Sequence, residues 1–97
     1  MTSTLNIRVG QSFRIDAKFD GELVSGPTYE LIAANPSPIS FTPDVPPITG
    51  GSGKALAIGQ AVVKGTAQGA NALTDQVSFV VSGPLASQMT LTAKVLP

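Results

Sequence analysis

The sequence predicts an all-β protein, an antiparallel β-sandwich or small barrel, and three observations carry this prediction. Ten glycines and eight prolines interrupt its 97 residues at short intervals. Between them, apolar and polar residues alternate, which is the period of a strand with one buried face. No stretch of the sequence repeats its apolar residues with the period of a helix. Eight strand candidates in so short a chain are typical of a sandwich or barrel and predict one domain, residues 1–97.

The first two strands are predicted at residues 5–9 and 13–19, where every second residue is apolar. Each should therefore have one face in the core and one in solvent. On the solvent face of the second strand, Arg14, Asp16 and Lys18 alternate in charge at two-residue spacing. Alternating charges of this kind are typical of a solvated sheet face rather than of a binding site.

The third and fourth strands are predicted at residues 28–33 and 39–42, after turn-rich connections containing glycine, proline and asparagine. The segment that follows, residues 43–53, is the longest stretch without a strand pattern. Its first half is rich in proline and should be stiff, whereas its second half is rich in glycine and should be flexible. The sequence therefore predicts a conspicuous loop here.

The last four strands are predicted at residues 54–58, 61–68, 77–81 and 89–95. Apolar residues that share the inward parity of their strands should form the core, and they include all four phenylalanines. Tyr29 should lie at the rim, because its hydroxyl needs a hydrogen-bond partner. The predicted core comprises Leu5, Ile7, Val9, Phe13, Ile15, Phe19, Leu31, Phe41, Val63, Val77, Phe79, Val81, Leu91 and Val95.

The composition argues against an enzyme. The chain has no His, Cys or Trp, and so lacks the commonest general base and the commonest soft metal ligand. Without His no Ser-His-Asp triad can form, and without Cys no disulfide can form. The glycine cluster before Lys54 fails as a phosphate loop, because Ile48 and Ala55 stand where that motif needs glycine and a hydroxyl. We expect no catalytic residues.

Metal and cofactor sites are not expected either. The carboxylates of Asp16, Asp20 and Glu22 are close enough in sequence to suggest calcium at one end of a sandwich. They lack the dense ladder of Asp and Asn and the bidentate Glu of a calcium loop. Roles in turns and on the surface are the expected ones, and no cofactor is predicted.

Charge and hydropathy restrict the partners. Six basic and six acidic residues give a net charge of zero, and the basic residues are dispersed along the chain. Nonspecific binding to phosphates needs clustered Lys and Arg, so we expect no nucleic-acid partner. The sequence starts without the apolar region of a signal peptide, and no apolar run approaches the length of a membrane span. We therefore expect no membrane partner.

Several short segments resemble a known domain family. They are Ile7-Arg8-Val9-Gly10-Gln11 before an alternating strand, Asn35-Pro36-Ser37 after a strand, and Gly53-Lys54-Ala55-Leu56-Ala57 leading to Gly59-Gln60-Ala61-Val62-Val63. Over residues 7–68 they resemble the second group of bacterial immunoglobulin-like domains. The resemblance implies an immunoglobulin-like antiparallel β-sandwich of seven to eight strands. The chain departs from the family in Tyr29, where Trp is frequent, in its long loop and in an additional last strand.

The resemblance implies a binding or spacer module without catalysis. Such domains occur in bacterial adhesins and intimins and on the heads and tails of tailed bacteriophages. A start at Met without a signal peptide and a low charge favour a subunit made in the host cytoplasm and seated on a virion. The leading expectation is a capsid decoration protein that binds the major capsid protein or another virion protein, with a homo-oligomer on the shell as an option. The alternatives are a phage tail or fibre component and a bacterial surface adhesion module.

Two segments are predicted to bind the partner. The first is the loop at residues 43–53. Its prolines reduce the entropy lost when the loop is fixed on a partner, and the apolar residues beside them supply contact area. The alternative is an ordinary sandwich connection, which the flexible glycines favour. A second candidate is the N-terminal segment, residues 2–6, whose backbone could add to a neighbour's open sheet edge. The predicted contact residues are Val45, Pro46, Pro47 and Ile48 of the loop and Thr2 and Thr4 of the N-terminal segment.

Overall fold

The computed structural model describes residues 2–45 and 49–97, and all regular structure in them is β-strand, which confirms the predicted all-β class. Short alternating segments between glycine and proline turns favour strands, because each can bury only one face. The seven strands are β1 (Thr2–Arg8), β2 (Ser12–Asp16), β3 (Ser25–Ala33), β4 (Ile39–Pro43), β5 (Gly50–Ala55), β6 (Gly59–Gln68) and β7 (Ala72–Ser82).

The strands form two sheets. The first has the order β1-β7-β6-β3 and the second the order β2-β5-β4. All pairs are antiparallel except β1 and β7, which run parallel from Thr2 beside Gln76 to Arg8 beside Ser82. The expectation of a wholly antiparallel sandwich was therefore wrong at this edge. A parallel pair arises because β1 and β7 are the first and last strands and need no tight turn between them.

The core lies between the sheets. The rings of Phe13 in β2 and Phe79 in β7 have their centroids 4.4 Å apart, so the two sheets are in direct contact. Val9, Ile15, Phe41 and Val77 pack around the buried cluster. Five of the predicted core residues are buried, and Ile39, Ala55 and Ala61 join them. The buried cluster is Ile7, Phe13, Ile39, Ala55, Ala61, Val63, Phe79 and Val81.

Five predicted core residues lie outside this cluster. Leu5 and Leu31 belong to β1 and β3, the edge strands of the first sheet, and are 39% and 36% exposed. Phe19 is only half-buried, because β2 ends three residues before it. Leu91 and Val95 are 84% and 97% exposed. The predicted strand at 89–95 was wrong, since the described chain forms no strand after Ser82.

The predicted loop at 43–53 was too long, because Gly50 already belongs to β5, the central strand of the second sheet. The glycines of β5 make room for two phenylalanines on the neighbouring strands. A Cβ added at Gly51 would lie 2.6 Å from Phe41 Cζ, and one added at Gly53 would lie 2.6 Å from Phe13 Cζ. The glycine run is therefore a packing device rather than a flexible tether.

The predicted strand at 54–58 was wrong beyond its first two residues. β5 ends at Ala55, and the amides of Leu56 and Ala57 both donate to the carbonyl of Pro38, at 2.7 and 3.2 Å. These bonds turn the chain out of the second sheet. The connection delivers β6 to the first sheet, where it pairs with β3 and β7.

Candidate functional site

The loop between β4 and β5 contains most of the predicted partner-binding residues. Pro46, Pro47 and Ile48 lie outside the described residues. Val45 is 98% exposed, so its apolar side chain is fully available to a partner. The amide of Asp44 donates to the carbonyl of Gly50 at 2.8 Å, which closes the base of the loop.

An arginine of β2 holds this base in place. The guanidinium of Arg14 donates to both carboxylate oxygens of Asp44, at 2.6 and 3.2 Å. It also donates to Asp16 Oδ1 at 2.8 Å and to the carbonyl of Thr49 at 3.3 Å. Bidentate pairing of this kind fixes geometry more strongly than a single contact. The loop that presents Val45 is therefore anchored to β2. In the second sheet β2 lies two positions from β4, the strand that precedes this loop.

The same contacts set the ionisation of the pair. The hydrogen bonds from Arg14 and from the Thr49 hydroxyl, the latter 2.6 Å from Asp44 Oδ2, hold the pKa of Asp44 below its ordinary value. The hydrogen bonds to Asp44 and Asp16 raise the pKa of the Arg14 guanidinium. A lowered carboxyl pKa means that this stabilisation is present above the ordinary value of 3.8 and is lost as pH falls through the lower value of the folded chain.

Arg14→Gln should return the pKa of Asp44 toward its ordinary value, because the charged donor is removed. A titration of the Asp44 carboxyl carbon by NMR measures this directly. Arg8→Gln is the matched control, since Arg8 donates instead to the carbonyl of Gly83. An unchanged Asp44 pKa in the Arg14 variant would contradict the anchoring role.

A second feature is an apolar groove of about 460 Å³ on one side of the sandwich. It lies between the end of β2 with the residues that follow it and the inner face of β3, β6 and β7. Its apolar walls include Ile15, Phe19, Tyr29, Leu73 and Val77. These side chains can pack against an apolar partner, but they supply no acid, base or nucleophile of ordinary reactivity.

Tyr29 lines this groove and makes an edge-to-face contact with Phe41, the ring centroids 5.9 Å apart. Its hydroxyl oxygen is buried and has no hydrogen-bond partner among the described residues, so the expected partner at the rim is not found there. Burial raises the pKa of the Tyr29 phenol, and the negative charge of Asp44 raises it further. The phenol is therefore neutral at pH 7, and the Tyr29 side chain contributes to the groove by packing.

The N-terminal segment is a strand rather than a free arm. Thr2 and Thr4 lie in β1, where they stand opposite Gln76 and Ser78 of β7. One backbone edge of β1 is thus occupied by its own chain. The addition of this segment to a neighbour's sheet stays a prediction, and it can use only the outer edge of β1.

Other site chemistry is sparse in residues 2–45 and 49–97. They contain no group of three or more His, Cys, Asp or Glu side chains that could hold a metal ion. Nor do they form a helix that is long and apolar enough to cross a membrane.

Sequence reasoning missed both the Arg14–Asp44 link and the groove. The alternating charges at positions 14 to 18 were interpreted as a solvated face, and the exposed Arg14–Asp16 pair agrees with that interpretation. The contact to Asp44 spans 30 residues, so no local pattern could have indicated it. No protein-family model matches the chain, and no curated protein is significantly similar to it.

Proposed function

We propose that the chain is a non-enzymatic structural protein of a tailed-bacteriophage virion. In this proposal it is a capsid decoration protein that binds the assembled capsid surface through an immunoglobulin-like domain. The observation that supports the immunoglobulin-like part of this proposal is the strand order, with β1-β7-β6-β3 packed on β2-β5-β4. Four strands of one sheet and three of the other, with a first strand parallel to the last, is an arrangement that immunoglobulin-like sandwiches adopt.

Two of the segments that carry the family resemblance lie in turns between strands of this arrangement. Gly10, with a φ of 95°, and Gln11 form the turn between β1 and β2, and the Arg8 amide donates to Gln11 Oε1 at 2.9 Å. Asn35-Pro36-Ser37 lies between β3 and β4, where the Ser37 hydroxyl donates to the carbonyl of Ile39 at 2.7 Å. These turn contacts support the immunoglobulin-like assignment.

Binding rather than catalysis is favoured by what the surface presents. Val45 projects from an anchored loop, and further large apolar side chains are exposed on the described surface. Large apolar side chains exposed outside the core offer contact area to a protein partner. A neutral and weakly charged chain also suits a subunit that stays bound to a shell.

The proposal is tested by locating the protein in purified particles. Gradient-purified virions are separated into heads and tails and analysed by mass spectrometry, and the heads are imaged by cryo-electron microscopy. Peptides in the head fraction and matching density on the capsid exterior are expected. Recovery in tails alone would favour the tail or fibre alternative, and absence from particles would overturn the virion proposal.

The loop contact has its own test. Replacing Val45 and Ile48 together by Ser should leave the fold intact but weaken binding to capsids about tenfold, since a central apolar contact contributes about 1–2 kcal/mol. Binding to expanded heads measured by co-sedimentation reports the effect. Val24→Ser is the control, because Val24 is similarly exposed but lies between β2 and β3. Full occupancy with the double variant would remove this loop from the interface.

A further inference from the structure

The end of the chain has the pattern of a strand but pairs with nothing in the described structure. We call residues 83–97 the C-terminal arm. In it Met89, Leu91 and Val95 alternate with polar residues and are 81%, 84% and 97% exposed. From residue 84 to residue 97, none of the described residues makes a hydrogen bond within the chain. A segment with one apolar face and unpaired backbone groups is suited to pair with a sheet edge.

The arm points away from its own sandwich. The Arg8 guanidinium donates to the carbonyl of Gly83 at 3.0 Å and holds the base of the arm beside the end of β7. The molecule measures 76 Å along its longest axis but only 25 and 21 Å across. The residues after Gly83, fully extended, span about 45 Å. The long axis is therefore mostly the arm, which extends away from its own sandwich.

The groove at the other end of β7 is suited to receive such a segment. Leu73 and Val77 line it and lie near the start and at the middle of β7, whereas the arm follows the last residue of this strand. Within the described residues, β2 pairs only with β5, so its outer backbone edge is open beside the groove. The alternation of apolar residues in β2 continues to Phe19, three residues past the end of the strand. An added strand would extend the pairing over these residues.

The two segments match in length, pattern and charge. Residues 13–19 and 89–95 are both seven long and are apolar at every second position. The arm's only charged side chain is Lys94, whereas the groove is lined by Asp20 and Asp75, by Asp16, which also pairs with Arg14, and by one cation, Lys18. We infer that residues 89–95 of one copy bind as an added strand along β2 in the groove of a second copy, with Met89 and Leu91 inserted between the sheets. This inference rests on the fold and does not depend on the virion proposal.

A reciprocal exchange follows from the symmetry of the contact. Each copy has one arm and one groove, so two copies that exchange arms fill both grooves and close a two-fold dimer. The exchange also buries the most exposed apolar residues of the arm, which favours the dimer over two free chains.

The first test is the mass in solution of the full chain. Light scattering or sedimentation velocity between about 1 and 500 μM should show a rise from monomer to dimer. Leu91→Asp should raise the dissociation constant at least about tenfold, whereas Leu85→Asp, which places the same charge in the arm but outside residues 89–95, should change it little. Both residues are exposed in the single chain, so neither variant threatens the fold. A monomer over the whole range, or equal effects of the two variants, would overturn the inference.

The second test locates the contact by disulfide cross-linking. Because the chain has no native cysteine, only the introduced cysteines can form disulfides. Chains carrying Lys18→Cys and chains carrying Thr92→Cys are mixed and oxidised, and a disulfide-linked heterodimer is expected. Thr42→Cys replaces Lys18→Cys in the control, because Thr42 lies on β4 at the far edge of the same sheet. A double variant with both Lys18→Cys and Thr92→Cys should also give linked dimers. An internally linked monomer would show that the arm binds its own groove and would overturn the inference.

Discussion

Phe79→Ala should lower the free energy of unfolding by about 3–5 kcal/mol. Phe79 is 1% exposed, and its ring contacts Phe13 of the opposite sheet. Truncation removes buried apolar area and leaves a cavity that two sheets fixed by their own hydrogen bonds can fill only partly. The loss is a large part of the 5–15 kcal/mol that stabilises a typical domain. Urea denaturation followed by circular dichroism measures it.

Ile32→Ala is the matched control for this variant. Ile32 lies in β3 of the same sheet but is 47% exposed, so its truncation should cost less than about 1 kcal/mol. Equal losses in the two variants would contradict the assignment of the core. A far-ultraviolet spectrum of the unchanged chain dominated by helix would contradict the fold itself.

Local alternation was sufficient to predict the strands whose neighbours also alternate. The predicted strand at 61–68 differs from β6 by only two residues at its start, and the predicted strand at 39–42 differs from β4 by one residue at its end. In both strands one face packs on the core, so the period in the sequence is a direct consequence of burial.

The start of β7 could not be predicted in the same way. The alternation begins only near Val77, but pairing with β6 continues back to Ala72 beside Gln68. In the turn of residues 69–71 the Gly69 amide donates to the carbonyl of Asn71 at 3.0 Å. This turn brings the start of β7 beside the end of β6, ahead of the point along β7 where its residues reach the core. Hydrogen bonding along the ladder, rather than burial, sets this boundary.

The C-terminal arm shows the opposite difference, because it has a strand pattern but forms no strand. Residues 89–95 alternate as clearly as β6, yet they form no strand in the single chain. A strand needs a neighbour for its backbone groups, and a sequence pattern does not say whether that neighbour lies in the same molecule. No local sequence pattern indicates the candidate site either. The groove forms from β2, β3, β6 and β7 together, and the Arg14–Asp44 pair joins distant segments.

The glycine run of β5 forms a central strand where the sequence predicts a loop, and the reason for this difference gives a strong prediction. Gly50 has a φ of 108°, a conformation that favours glycine, and it opens the strand directly after the loop. Gly53 lies opposite Phe13 and Phe41 of the two flanking strands. Glycine is common in flexible linkers, so its local signal predicted a loop. The two aromatic neighbours that require it, Phe41 and Phe13, are 12 and 40 positions from Gly53 in the chain.

Gly53→Ala should therefore lower the free energy of unfolding by roughly 3 kcal/mol or more. The new methyl would overlap the backbone carbonyl of Ser40 in β4 and lie 2.6 Å from Phe13 Cζ. A backbone group in a paired strand cannot move aside without breaking the ladder, so the overlap must displace β5 from its central place in the sheet. Gly21→Ala is the control, because a Cβ there meets nothing within 4 Å. That variant should be neutral or more stable by up to about 1 kcal/mol, since alanine restricts the unfolded chain. Urea midpoints of the two variants measure the difference, and equal midpoints would show that β5 does not need glycine to make room for the phenylalanines.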